Sequence, residues 1–439
     1  MKADTKPALA TTRREFLKTS TAATLGAAFA AHLAFPEKAF AANSDTLKVG
    51  LIGCGGRGTG AASQALNADK NVVLSAVGDI LESQARNSLG SLRGDPALKE
   101  RITVTPDTTF VGLDAYQKVL SSGVDVVLLA TPPGFRPLHL KAAVDAGKHI
   151  FCEKPMATDV PGLRSVLASG AAAKEKKLAL VAGFCWRHDE ACRDFYQRIH
   201  DGQLGEVRAV YATYLTGPVK PMPPADTRPA GMSDVEWQLR NWYNFVWLSG
   251  DGLVEQACHS IDKIAWAMNG ALPIKAVATG GRQIPNHEGN IYDHIDVFFE
   301  YENGVRAFMA QRQISNCYSD NSDYVIGSTG VGTGGWNAPT IRGAKPWRFK
   351  GPNPGAHMYQ NEHNELFASI RSGDVINDGE WMAHSTLMAL MGRTAAYTGA
   401  ELTWDQILKS EDKLVPDDLK WDGQLPIRPM AVPGRTAFV

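Results

Sequence analysis

LKVGLIGCGGRGTGAASQAL, residues 47–66, decides the architecture of the chain. It opens as a short apolar strand, passes through a glycine-rich turn and continues as an alanine-rich helix. Gly53, Gly55 and Gly58 form GxGxxG, with Gly56 and Arg57 inside it. Glycines at this spacing permit a tight turn, close approach of a pyrophosphate to backbone, and close packing of helix on strand; the helix N-terminus then supplies N–H donors. GxGxxG alone is a weak signal. Here a second strand, VVLSAVGD, follows and ends in Asp79. A carboxylate at that point suits the ribose hydroxyls of NAD and repels the extra phosphate of NADP, although it also fits a cap for the next helix.

The alternation continues through VDVVLLATPP (124–133), the helix PLHLKAAVDAGK, the strand HIFCEKP (149–155), a helix over Val160 to Lys176, and LALVAGF (178–184). Short apolar strands alternating with helices predict an α/β fold with a parallel, doubly wound sheet and its ligand at the strand C-termini. Asp79, Thr131, Lys154 and Phe184 lie at such ends. After Trp186 the pattern changes. EVRAVYATYLTG leads into a Pro-rich stretch, GPVKPMPPADTRPAG, that cannot be regular; IKAVATGG, IDVFFEYENGVRAFMAQRQ and SDYVIGSTG then read as a large, mainly antiparallel open sheet. Glu302-Asn303-Gly304 is a hairpin turn, and helices are expected at NEHNELFASIRSG and HSTLMALMGRTAAYTG. The predicted division is a nucleotide-binding domain over 42–185 and a second α/β domain over 186–439, to which the family resemblance given below assigns substrate binding and oligomerisation.

Residues 1–41 read as a leader. TTRREFLK (Thr11 to Lys18), an Ala-rich apolar run and Ala39-Phe40-Ala41 fit a paired-arginine export signal, with the mature chain starting near Ala42. The expectation is export by the twin-arginine machinery to the periplasm or beyond, with a retained anchor as the rival. A net charge of -1 and the lack of a long basic run recommend neither nucleic acid nor an anionic membrane as partner. The six cysteines show no CxxC pair and read as free, mostly buried thiols. No metal site is expected, because the His and Cys residues lack ligand spacing.

GDGLVEQACHSIDKIAWAMNG, residues 250–270, reads as one amphipathic helix with Glu255, His259 and Asp262 on one side at i, i+4 and i+7. From this stretch alone, a solvated or hydrogen-bonded polar face is a better reading than a site.

GLIGCGGRG, then ATPP with His139 downstream, then AGKHIFCEKP, then ExxxHxxD resembles the glucose-fructose oxidoreductase, inositol dehydrogenase and MocA (Gfo/Idh/MocA) family in order and spacing. AGKHIFCEKP is the specific part. The resemblance implies a Rossmann domain, a second domain with a large open sheet, hydride exchange between a sugar-like alcohol and NAD, and homodimers or homotetramers built through that sheet. It implies that Lys154 stands beside the nicotinamide, that His259 takes the hydroxyl proton, and that Asp262 binds a substrate hydroxyl. Gly53, Gly55, Gly56, Arg57, Gly58, Asp79, Thr131, Pro132, His139, Glu153 and Lys154 are the expected cofactor contacts, with His139 equally suited to a structural role. Glu255 stands where the family usually has Asp; it either orients His259 or forms a helix-face salt bridge.

Trp237, Trp242, Tyr243 and Trp247 offer aromatic faces for a sugar ring, or belong to the core. Arg187, Trp242 and Tyr243 are taken as substrate contacts; Arg240, His294, Glu362 and His363 are weaker candidates. The expected activity is an NAD-dependent sugar or glycoside dehydrogenase, with C3 a candidate carbon and the cofactor held tightly after export. The alternative is a redox-cycling glycosidase, whose members have Tyr where this chain has Gln256. A non-catalytic sensor is disfavoured by Lys154 and His259, and a hydrolase triad by the lack of a nucleophile elbow.

Overall fold

The computed structural model describes residues 45–285 and 288–439. The paired-arginine segment and the expected cleavage near Ala42 lie outside the described residues. The first sheet contains β1 (Leu47–Ile52), β2 (Val72–Asp79), β3 (Thr109–Val111), β4 (Val126–Leu129), β5 (His149–Cys152) and β6 (Leu180–Ala182). All its pairs are parallel, in the order β3-β2-β1-β4-β5-β6. Helices α1 (Gly56–Ala68), α2 (Glu82–Arg93), α3 (Ala115–Ser121), α4 (Arg136–Asp145) and α5 (Val160–Glu175) make the crossovers. Burial on both faces explains the uninterrupted apolar runs: every residue of β4 is 0% exposed. The strand order reverses between β1 and β4, which opens a crevice at the turn after β1.

The second sheet has nine strands, ordered β14-β13-β12-β11-β7-β10-β9-β8-β15. They are β7 (Val207–Thr216), β8 (Lys275–Gly281), β9 (His294–Glu300), β10 (Arg306–Gln313), β11 (Ser322–Gly327), β12 (Gly330–Gly335), β13 (Thr340–Gly343), β14 (Trp347–Arg348) and β15 (Leu402–Thr403). Neighbours are antiparallel except β7 and β10. That parallel pair is possible because a long crossover carrying the helices of residues 234–267 joins β7 to the rest of the sheet. Gly304, at φ +80°, closes the β9–β10 hairpin.

One sheet face is covered by helices and the other is open, as the alternation in β7 shows: Val210 and Ala212 are buried while Tyr211 is exposed. The open face also carries Val277, Phe298, Ile326 and Val331. Helix α6 is Glu190–His200, α7 Asp234–Arg240, α8 Val246–Ser249, α9 Gly252–Glu255, α10 Cys258–Ala267, α11 Met358–Ser372 and α12 Gly379–Thr398. Residues 250–270 are therefore two helical pieces and not one helix. The six cysteines are free, five of them buried. No helix among the described residues is long and apolar enough to cross a membrane.

Candidate active site

A cavity of about 430 Å³ opens at the strand-order reversal and is lined from both sheets' sides. On the Rossmann side, Gly53 has φ +97° and a Cβ there would lie 2.6 Å from the Ala130 carbonyl carbon. A Cβ on Gly58 would lie 1.9 Å from the Gly53 oxygen, so only glycine lets α1 approach β1 this closely. Gly55 and Gly56 face open space, and no side chain caps α1. The Asp79 carboxylate accepts from Cys54 N (2.7 Å) and Leu81 N (2.9 Å). Burial raises its pKa while those backbone bonds oppose the shift. Bare amides, a Cβ-free cradle and a carboxylate at the end of β2 fit a dinucleotide with unphosphorylated ribose.

Thr131 and Pro132 also line the cavity. His139 stands against its wall, 5% exposed, with Nδ1 3.1 Å from Thr131 Oγ1 and its ring stacked on Tyr116. Burial, then Arg136, pushes its pKa down to about 3, so it is a neutral strut behind the Thr131 turn. Arg57 turns toward Glu153 (2.6 Å) and lies on the Tyr359 ring at 4.7 Å. Glu362 of α11, fully buried and 3.5 Å from Arg57, has its pKa pushed well up by burial and then by Glu153. His363 is held neutral by burial, then by Arg57 and His188. Arg57, Glu153, Glu362 and His363 thus brace the glycine turn against α11.

The reacting side is built by the break between α9 and α10. The His259 N–H donates to the Gln256 carbonyl instead of that of Glu255, leaving the Glu255 oxygen without its helical partner. Lys154 fills that vacancy: its Nζ donates to Glu255 O at 2.7 Å and to Glu255 Oε1 at 3.1 Å. Burial alone would lower the Lys154 pKa, but the Glu255 carboxylate beside it outweighs this and holds the ammonium charged. His259 is nearly buried, its Nδ1 without a partner, its edge against Phe184. Burial, then Lys154 and Lys263, lowers its pKa well below the ordinary value. Glu255 therefore pairs with Lys154 of the turn after β5, a partner that is neither His259 nor on its own helix face.

Further expectations are corrected. Asp262 does not line the cavity. It is 1% exposed, accepts from Arg187 Nε and Nη2, both at 2.8 Å, and receives the Ser385 hydroxyl at 2.7 Å. Arg187 lies between the Trp266 and Trp381 rings, at 4.6 and 4.7 Å, so neither member of the pair is turned to substrate. Tyr243 is 2% exposed, bonds Gln313 and belongs to the core. Trp242 and Arg240 do line the cavity, whereas His294, the first residue of β9, meets the Asp293 carboxylate just before the strand and does not. Gln256, noted in the sequence only for its place in the glycosidase comparison, lines it too, as do Lys220 and Tyr359, which were not singled out. Tyr214, whose hydroxyl donates to Gln256 Oε1 at 2.8 Å, stands behind them. Nothing in strand alternation or a Pro-rich stretch marks such residues as facing a helix break elsewhere in the chain.

Comparison with known proteins agrees with this geometry. Residues 47–184 match the family model described as oxidoreductase family, NAD-binding Rossmann fold, and residues 193–332 match the GFO/IDH/MocA C-terminal domain, together more than half of the chain. The chain is 24% identical over 354 residues to an inositol 2-dehydrogenase of Rhizobium meliloti, covering 76% of this chain and 93% of that protein. It is 26% identical over 188 residues to dTDP-3,4-didehydro-2,6-dideoxy-alpha-D-glucose 3-reductase of Actinomadura kijaniata, 43% of this chain and 50% of that one. A levoglucosan dehydrogenase solved with NADH and levoglucosan shares the fold, with a TM-score of 0.64 at 18% identity over 81% of this chain and 99% of that one. With both halves matched in order, the chain belongs to the Gfo/Idh/MocA oxidoreductase family and carries that family's NAD-binding Rossmann domain.

Proposed function

We propose that the protein oxidises a secondary hydroxyl of a sugar or glycoside, with C3 the candidate carbon. The observation that carries this reading is that Lys154, Glu255 and His259 line the same cavity as the glycine turn and Asp79. Bound there, the nicotinamide supplies the hydride acceptor. As the carbinol C–H pair leaves as hydride, the hydroxyl proton passes to the neutral His259, and the O–H electron pair left on oxygen closes the C=O bond. Lys154 offers its ammonium to the negative charge that develops on oxygen. Glu255 fixes the ammonium, and His259 returns its proton to solvent after turnover. The inositol and sugar names of the relatives support a polyol-like substrate.

The test is one assay on a panel of nitrophenyl glycosides with added NAD, read for NADH and for aglycone. NADH and a keto-sugar without sustained release are expected. Multiple-turnover release without net NADH would replace this reading with the redox-cycling glycosidase, for which Gln256, engaged by Tyr214, is an atypical residue.

The base also makes a pH prediction. His259 is kept deprotonated by burial, then by Lys154 and Lys263, so kcat/KM should show no acid limb near the ordinary histidine pKa of about 6.5. Rates measured from about pH 5 to 8 test this. An inflection near about 6.5 that disappears in His259→Ala would refute it.

The reading includes export through the Arg13-Arg14 segment, supported by the sequence pattern. It also includes self-association through the open face of the nine-stranded sheet. That face is supported by the stacked Tyr211–Tyr324 pair and by exposed Phe298 and Ile326.

A further inference from the structure

The segment that reads as irregular, Gly217 to Gly231, passes over the cofactor side of the cavity and brings Val219 and Lys220 into its lining. Beyond it, α7 adds Leu239 and Arg240. Met222 of this strap packs against the apolar cluster that contains Leu239 and Trp247, as do Ile80, directly after Asp79, and Leu113, just beyond β3.

The charges on the cavity wall differ in how they are matched. Arg57 has Glu153, Lys154 has Glu255 and Arg240 has Glu236. Arg136 is buried, its guanidinium engaged by the Leu129 and Thr131 carbonyls. Lys220 is half-buried, and none of the ion pairs among the described residues includes it; its Nζ donates to the Arg240 carbonyl at 2.7 Å. Burial correspondingly lowers its pKa. Prolines at 218 and 221 flank it, and Asn244 holds its carbonyl at 3.1 Å, so the lysine is fixed where it costs desolvation.

A half-buried cation without an acidic partner, lining the same cavity as Arg57, Lys154, Arg136 and Arg240, is suited to negative charge on a ligand. We propose that Lys220 pairs with a phosphate of the bound dinucleotide, so that the strap from the second domain closes the cofactor in. The assignment rests on the NAD reading of the Rossmann site and adds to it a contact from outside that domain. The cofactor then leaves only when this ion pair breaks.

The probe is NADH, titrated by fluorescence into the apo protein at low and high salt. Lys220→Gln is expected to weaken NADH roughly 10–100-fold at low salt, the cost of one charged hydrogen bond, and to raise the dissociation rate. Lys220→Arg should retain most of the affinity. Wild-type affinity should fall with salt, and more steeply than that of Lys220→Gln. This salt comparison stands even if one variant folds poorly, because wild-type binding without salt dependence would itself overturn the pairing. Equal NADH affinity and dissociation in wild type and Lys220→Gln would also overturn it. So would a change confined to the KM of glucuronate relative to glucose, which would give the lysine to an acidic substrate. If wild-type protein binds no NADH at all, the cofactor reading itself fails.

Discussion

Lys154→Met is expected to lower turnover by roughly 10²–10⁴-fold, the range for removing a proton-transfer partner or an electrostatic donor to a developing oxyanion. Methionine keeps most of the lysine stem and removes the charge. Two consequences can be separated. The first is chemical: nothing then offsets the charge that grows on the hydroxyl oxygen. The second is structural: Glu255, with an 8% exposed side chain, loses its cation, and a buried carboxylate without a partner takes up a proton or destabilises the fold.

A second variant, Lys154→Met with Glu255→Gln, removes the stranded carboxylate. It should recover stability while turnover stays low, whereas a purely structural lysine would see both return. Steady-state turnover on an active substrate from the glycoside panel, with NADH titration to confirm cofactor binding, reads both effects. Turnover within a few-fold of wild type in Lys154→Met would remove the lysine from the chemistry. The single variant should also raise the His259 pKa, because Lys154 is the next cause of its depression after burial. An acid limb absent from the wild-type profile would then move toward the measurable range.

The Rossmann half of this site was legible in the sequence because its chemistry is local. A strand, a glycine turn and a helix within residues 47–66 fix their own geometry, and the steric limits at Gly53 and Gly58 depend on neighbours only a few residues or one strand away. The hairpin at Gly304 was legible for the same reason. The break after Glu255 was not. Helical spacing of apolar residues continues across it, while the partner that makes use of it is distant: a lysine one hundred and one residues earlier in the chain takes the carbonyl that a continuous helix would use. Periodicity places side chains on a face but does not name what that face meets. Asp262 and Lys263 lie on the same helix as His259, yet one meets Arg187 and the other meets Asp323 at 2.9 Å. Lys220 was hidden differently, in a Pro-rich stretch whose irregularity could be read but whose path across the cavity could not.

Asp262→Ala tests the corrected role most directly, and the expected result is lost stability: about 3–5 kcal/mol, the cost of stripping one partner from a buried ion pair. The Arg187 guanidinium would be left between two indole rings with no carboxylate, and the Ser385 hydroxyl would lose its acceptor. A substrate-binding aspartate would behave otherwise, raising KM while leaving the unfolding midpoint in place. Urea unfolding followed by tryptophan fluorescence separates the two, since Trp266 and Trp381 report the same contact. The double variant Asp262→Leu with Arg187→Met sharpens the distinction. Replacing both charges by apolar side chains of similar size is often neutral or stabilising, so the double variant should regain most of what the single one lost. Recovered stability with an unchanged KM would place the pair in the scaffold. An Asp262→Ala protein that unfolds at the wild-type midpoint but shows a large rise in KM would return Asp262 to the substrate. The buried fork would then have to open when a sugar binds. The geometry argues against that opening, because it would expose a second charge, Arg187, whose remaining contacts are two aromatic faces and the Asp262 carbonyl.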